Sequence, residues 1–226
     1  MKPTTSTKQP DLFGEAAVVA SAGVPEPLSE GAYVLRGFAL DASGALLQAV
    51  EAVERVAPFR HLVTPGGFRM SVAMTNCGRL GWLSDRRGYR YEPTDPQTGR
   101  PWPEMPDCFA ELVAQAASAT GYPDFKPDAC LINRYAPGAR LTLHQDRDEA
   151  RLTAPIVSVS LGVPATFLWG GLERGGRIQR VPLVHGDVVV WGGPSRMQFH
   201  GIAPLKPAWH PAVGELRINL TFRCAA

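Results

Sequence analysis

His144 and Asp146 stand two residues apart in the polar run Asn133-Arg-Tyr-Ala-Pro-Gly-Ala-Arg-Leu-Thr-Leu-His-Gln-Asp-Arg-Asp-Glu149. In an extended segment, side chains at i and i+2 project to the same side. An imidazole and a carboxylate would then converge on one point. That is two-thirds of the 2-His-1-carboxylate arrangement, which holds Fe(II) on one face and leaves the other positions open. A bare His-x-Asp pair also occurs by chance in solvent-exposed turns, so the third ligand decides.

Five histidines are available. His61 follows a predicted helix and His210 lies in the loop Lys206-Pro-Ala-Trp-His-Pro211; both read as structural. His185, in Val184-His-Gly-Asp187, and His200, in Arg196-Met-Gln-Phe-His-Gly-Ile202, both adjoin predicted strands. Spacing alone does not choose between them. The last predicted strand adds a second feature. Arg217, Asn219, Thr221 and Arg223 alternate with Ile218, Leu220 and Phe222, which puts the polar set on one face. Two arginines on one strand face are either a solvated edge or a clamp for an anionic small molecule. Asn133 and Tyr135 share a face in the same way. A dicarboxylate chelating the iron would need such a cation at its far end.

The elements that position these groups follow from patterning. A chain of 226 residues suits one well-buried domain. Its 21 prolines and 23 glycines favour turns and short strands. Residues 1–24 read as a flexible tail and 25–226 as the domain. Tyr33-Val-Leu-Arg-Gly-Phe38 predicts a first strand. Asp41 is placed to cap a helix carrying Leu46, Leu47, Val50, Val53 and Val56, which Pro58 ends. The Gly-rich, aromatic and basic stretch at about 60–103 predicts short strands and long loops that form a lid. Asp107 opens a second helix with Phe109, Leu112, Val113 and Ala116 on one face and Gly121 past its end. From about 125 to 224, Ile156–Leu161, Ala165–Trp169, Val181–Val184, Asp187–Trp191 and Leu216–Phe222 read as strands of a barrel or sandwich.

Composition narrows the setting. A net charge of +2 gives no strong vote for nucleic acid. The four cysteines are widely spaced, without a Cys-x-x-Cys pair, which argues against a disulfide scaffold or zinc knuckle and fits a reducing cytosol. No apolar run is long enough to span a bilayer. The Ala16–Ala22 stretch is too short and too closely preceded by Asp11 and Glu15 for a secretion signal. A cytoplasmic monomer is the expectation.

Asn133-Arg-Tyr, His144-Gln-Asp-Arg-Asp-Glu149, His200 and Arg217-Ile-Asn-Leu-Thr-Phe-Arg223 together resemble the AlkB family of Fe(II)/2-oxoglutarate-dependent nucleic-acid dealkylases, its bacterial DNA-repair branch in particular. Gly81-Trp82, Gly88-Tyr-Arg-Tyr91 and Gly170-Gly-Leu-Glu-Arg174 extend the similarity, which covers roughly residues 25–224. The resemblance implies a mainly β (α+β) fold: a double-stranded β-helix, or jelly roll, with N-terminal helices and a nucleotide-recognition lid. It selects His200 over His185, giving His144, Asp146 and His200 as ligands of Fe(II). It assigns Asn133, Arg134, Tyr135, Arg217, Asn219, Thr221 and Arg223 to 2-oxoglutarate, with Arg217 at the distal carboxylate and Asn133 and Arg223 near the iron. Substrate contacts fall to Trp82, Tyr89, Arg90, Tyr91, Asp148, Glu149 and Arg174. The implied reaction uses O2 to demethylate 1-methyladenine and 3-methylcytosine in single- or double-stranded DNA, and by extension RNA, forming succinate, CO2 and formaldehyde. The alternatives are an oxygenase acting on a protein or small molecule, and a non-catalytic cupin-like module holding a structural metal.

Overall fold

The structure, a computed structural model, describes residues 24–226. The expected tail therefore lies, up to residue 23, outside the described residues. Sixteen regular elements follow one another as β1 (Pro25–Ser29), β2 (Ala32–Leu35), α1 (Ser43–Val56), β3 (Arg60–Val63), β4 (Arg69–Gly78), β5 (Gly81–Asp85), β6 (Gly88–Glu92), α2 (Asp107–Ala119), β7 (Ala129–Tyr135), β8 (Leu141–His144), β9 (Ile156–Gly162), β10 (Ala165–Trp169), β11 (Gln179–Leu183), β12 (Val188–Trp191), β13 (His200–Ile202) and β14 (Arg217–Arg223).

Twelve strands form two antiparallel sheets. The larger runs β1-β2-β12-β9-β14-β7-β4-β3 and the smaller β11-β10-β13-β8, while β5 and β6 pair only with each other. The two sheets enclose Val34, Met74, Leu131, Ile156, Phe167, Trp169, Leu183, Trp191 and Ile202. This is a jelly-roll sandwich, not a closed barrel.

The large sheet is covered on both faces. On its outer face α1 buries Leu46, Val50 and Val53, and α2 buries Phe109, Leu112, Val113 and Ala116, at the three- and four-residue steps of a helix stripe. They meet the outward residues of the sheet, among them Ile132, Val157, Val159, Ile218, Leu220 and Phe222. Phe109 packs edge-on against Phe222 with centroids 5.7 Å apart, fixing α2 to β14. Burial of each such side chain stabilises the fold by roughly 1.5–3 kcal/mol.

That double covering changes how β14 is to be read. It lies between β9 and β7, and every one of its residues is buried. The solvated-edge reading of its arginines is excluded, and Arg217, Asn219, Thr221 and Arg223 face the interior of the sandwich.

Two expectations are corrected. Asp41 does not cap α1: the N-cap is Ala42, already in helical conformation, and no side chain bonds the first turn. The 60–103 stretch is more regular than expected, because Arg69–Gly78 forms a ten-residue strand that extends the large sheet. β3 also joins that sheet, as its edge strand, and the stretch continues through the β5–β6 hairpin into an irregular segment that carries Trp102. Gly81 is needed there, since a Cβ would lie 2.3 Å from the Trp102 ring.

Candidate active site

β8 and β13 are antiparallel neighbours in which His144 and His200 are direct cross-strand partners. Their ring centroids stand 4.4 Å apart. A register shift after His200 leaves Gly201 against the β8 backbone, where a Cβ would come 2.7 Å from the Leu141 carbonyl oxygen. Glycine thus lets the two strands approach closely enough for the rings to share a point. Asp146, two residues past His144, completes the group: its carboxylate oxygens lie 3.6 Å from His144 Nε2 and 3.8 Å from His200 Nε2. All three donor atoms fall within 4.8 Å of one another, the one such three-residue His/Cys/Asp/Glu cluster among the described residues.

Both imidazoles are oriented by the backbone. His144 Nδ1 donates to the Thr142 carbonyl at 2.9 Å and His200 Nδ1 to the Gln198 carbonyl at 3.1 Å. A carbonyl only accepts, so the proton is on Nδ1 and the Nε2 lone pairs point inward, as metal ligation requires. Burial, and then the neighbouring His144, push His200 down to about 3, leaving it neutral at pH 7. Burial alone would raise the Asp146 carboxyl. The Arg223 guanidinium, which donates from Nε and Nη2 at 2.9 and 2.7 Å, together with the His200 and His144 rings more than offsets this and holds it well below the usual carboxylate range. An anionic carboxylate and two imidazoles held by their Nδ1 hydrogen bonds fit a divalent cation of the Fe(II) type.

The three ligands line a cavity of about 880 Å³. Its floor is the inner face of β14, β7 and β9. Arg217 is 1% exposed and makes no ion pair among the described residues. One nitrogen, Nη2, donates to Ser160 Oγ at 3.0 Å, whereas Nε and Nη1 have no partner. Its guanidinium carbon lies 4.9 Å from the Tyr135 ring centroid. The Tyr135 hydroxyl, Asn133 Oδ1 and Trp191 Nε1 are also buried without partners. Asn219 is tied to Ser158 Oγ and the Val159 carbonyl, and accepts from Thr221 Oγ1. Leaving a buried polar group unpaired costs about 1–3 kcal/mol, more when it is charged. So many along one wall mark a place shaped for a polar, anionic guest.

The mouth is aromatic and basic. Trp82 and Tyr89 stack with centroids 5.6 Å apart and an interplanar angle of 14°, and Trp82 Nε1 donates to Asp148 at 3.0 Å. Arg174 lies over the Phe199 ring at 5.3 Å. Trp82, Tyr89, Asp148 and Arg174 all line the cavity.

Four expected site residues do not. Arg134 alternates to the outer face of β7, where it pairs with Glu54 at 2.7 Å and stacks on Phe59. Arg90 lies on the far face of β6 from Tyr89, bound to Asp85 and Glu92. Tyr91 and Glu149 form a layer behind the metal ligands: the phenol donates to Glu149 Oε1 at 2.6 Å, and Glu149 receives Arg196. Arg196, Trp191, Ser158 and Ser160 belong to this region and were not singled out from sequence. The other histidines are elsewhere. His185 accepts the Gly162 N–H and stacks on His210, which accepts the Ala212 N–H, and His61 donates to the Met70 carbonyl.

Comparison with known proteins agrees with this geometry. The profile described as 2OG-Fe(II) oxygenase superfamily matches residues 31–223. The alpha-ketoglutarate-dependent dioxygenase AlkB of Escherichia coli is 60% identical over 95% of this chain and 97% of its own. A DNA N(6)-methyladenine demethylase of Arabidopsis thaliana, ALKBH1C, is 32% identical over 64% of this chain and 37% of its own. The solved structure of OsALKBH1 superposes with a TM-score of 0.78 at 30% identity, covering 88% of this chain and 99% of that one. The cluster His144–Asp146–His200 above a buried, unpaired arginine thus stands in a chain that belongs to the AlkB family of Fe(II)- and 2-oxoglutarate-dependent dioxygenases.

Proposed function

We propose that this protein repairs N-alkylated bases, 1-methyladenine and 3-methylcytosine, in DNA and also in RNA, acting as a cytoplasmic monomer. The alkyl carbon leaves as formaldehyde while 2-oxoglutarate is split to succinate and CO2. The observation that carries this reading is Arg217: a buried cation with two free N–H groups, set below a cluster of metal-binding donors.

His144, Asp146 and His200 hold Fe(II). The Nε and Nη1 groups of Arg217 donate to the distal carboxylate of 2-oxoglutarate, and the Tyr135 hydroxyl and Asn219 flank it. Asn133 and Arg223 serve its iron-proximal end. When bound, the iron and 2-oxoglutarate supply with O2 an oxidant able to break the C–H bond of an N-methyl group. The protein provides the ligand geometry and the enclosure. The alternating face of β14 supports this reading, since both arginines line the same cavity.

A base inside a duplex cannot reach so enclosed a site, so it must be flipped out or presented in a single strand. Trp82 and Tyr89 offer it a stacking platform, worth about 1–3 kcal/mol per base. Adenine methylated at N1 and cytosine methylated at N3 are cationic, unlike the normal bases. An aromatic face adds up to about 2 kcal/mol for a desolvated cation, and Asp148, held against Trp82 Nε1, adds a negative charge beside it. Arg174 contacts the nucleotide backbone.

The test is incubation with a single-stranded oligonucleotide bearing one 1-methyladenine, followed by its mass and by formaldehyde release. Loss of the methyl group in step with succinate is expected. Consumption of 2-oxoglutarate that leaves the oligonucleotide intact would shift the reading to a protein or small-molecule substrate.

A further inference from the structure

We propose that Tyr91 is a positioning residue for the metal ligand Asp146, acting through Glu149 and Arg223, and that it couples the β5–β6 hairpin to the grip on the metal. The inference rests on the assignment of His144, Asp146 and His200 as iron ligands.

Tyr91 lies on the same strand face as Tyr89, yet it does not reach the cavity. Its hydroxyl donates to Glu149 Oε1 at 2.6 Å. Glu149 is 6% exposed and is held from the other side by Arg196 Nη2 at 3.0 Å on Oε2. Arg196 in turn donates from Nη1 to the Asp146 carbonyl at 2.6 Å and from Nε to the Ala154 carbonyl at 3.0 Å. The second arginine is shared: Arg223 Nε lies 2.9 Å from Asp146 Oδ2 and 3.3 Å from Glu149 Oε1. Carboxylate and carbonyl of the ligand residue are therefore both fixed by arginines that also hold Glu149. Glu149 itself is capped by a phenol from the hairpin over the cavity.

Two guanidinium groups face two carboxylates here, so the layer is balanced in charge. Tyr91 contributes a hydrogen bond and no charge. Its hydroxyl anchors the Glu149 carboxylate, which holds Arg196 and Arg223 from behind. Without it, Glu149 shifts, the two arginines lose their common anchor and their hold on Asp146 loosens. Groups that orient a ligand in this way commonly change metal affinity by about 10–100-fold when altered. By linkage, metal in the site should hold the hairpin more firmly closed. A tyrosine that merely packs the hairpin would lower stability without touching the metal.

The test is titration of the apoprotein with Co(II), read from its visible absorption, with no 2-oxoglutarate and no oligonucleotide present. Tyr91→Phe should bind about tenfold more weakly than wild type, and Tyr89→Phe as tightly as wild type. The Tyr91→Phe, Glu149→Gln double variant should lose no more than Glu149→Gln alone, because both act on one path. Binding by Tyr91→Phe within about twofold of wild type, or losses that add, overturns the proposal. If Tyr91→Phe does not fold, wild-type affinity in Glu149→Gln overturns it equally. His144→Ala separates the two levels. If it binds Co(II) like wild type, the metal assignment itself fails; if it loses binding while Tyr91→Phe does not, only the coupling fails.

Discussion

Replacing Arg217 by methionine removes the buried cation while keeping a side chain of similar reach. In the unliganded protein this relieves a charge that burial pushes toward its neutral form and that finds one hydrogen-bond acceptor, Ser160 Oγ. Exchanging buried ionic groups for apolar ones of similar volume is often stabilising by about 1–4 kcal/mol. The lost contact with the Tyr135 ring offsets up to about 2 kcal/mol of that. The apoprotein should therefore lie between about 1 kcal/mol less stable and about 4 kcal/mol more stable than wild type. Cosubstrate binding, by contrast, should weaken. Two charge-assisted hydrogen bonds at about 1.5–3 kcal/mol each amount to roughly 3–6 kcal/mol. At 1.4 kcal/mol per decade this is a loss of about two to four decades in 2-oxoglutarate affinity. Calorimetric titration of 2-oxoglutarate into the Mn(II)-loaded protein reads the affinity, and thermal unfolding of the apoprotein reads the stability. An affinity within about threefold of wild type would show that Arg217 does not hold the distal carboxylate. A fall in apo stability beyond about 1 kcal/mol would show that the arginine is structural.

Gly201→Ala changes no ligand, yet its Cβ meets the Leu141 carbonyl oxygen at 2.7 Å and must push β13 from β8. A stability loss of about 1–3 kcal/mol together with weakened metal binding is expected, read by thermal unfolding and Co(II) titration. Trp82→Ala should weaken binding of a methylated oligonucleotide by about 1–3 kcal/mol in a fluorescence anisotropy titration, with 2-oxoglutarate affinity unchanged. Burial acts to raise the Asp95 carboxyl, but the Arg60 guanidinium and the Gln97 N–H lower it further, so its folded pKa is depressed. The stabilisation it gives is present above the ordinary carboxylate range and is lost as pH falls through the depressed value. Amide protection factors in the 94–101 loop, corrected for the intrinsic pH dependence of exchange, should be constant around neutrality and fall in acid, and Asp95→Asn should remove that fall.

The face-by-face logic of extended chains made much of the site legible. His144 and Asp146 converge as their two-residue spacing requires, and the alternation along β14 correctly sorted its polar set from its apolar one. The same rule, applied to single residues, would have removed two assignments. Arg134 between Asn133 and Tyr135, and Arg90 between Tyr89 and Tyr91, must point to the opposite face from their neighbours. What no spacing could supply is partnership over distance. Glu149, assigned by resemblance to the substrate, sits instead behind the metal ligands, because its partners Tyr91 and Arg196 lie 58 and 47 residues away. Arg196 had no local signal at all. β4 escaped for a different reason: it lies inside a sheet covered on both faces, so Val72–Cys77 are buried without the alternation that marks a half-exposed strand. The third ligand was beyond spacing too, since His200 meets His144 only through the β8–β13 pairing.

Diffraction from anaerobic crystals grown with Fe(II) and 2-oxoglutarate addresses the assignment most directly. An anomalous iron peak should lie between the Nε2 atoms of His144 and His200 and the Asp146 carboxylate, with the distal carboxylate of 2-oxoglutarate on Arg217. Iron elsewhere, or a 2-oxoglutarate whose far end turns from Arg217 into solvent, would contradict it.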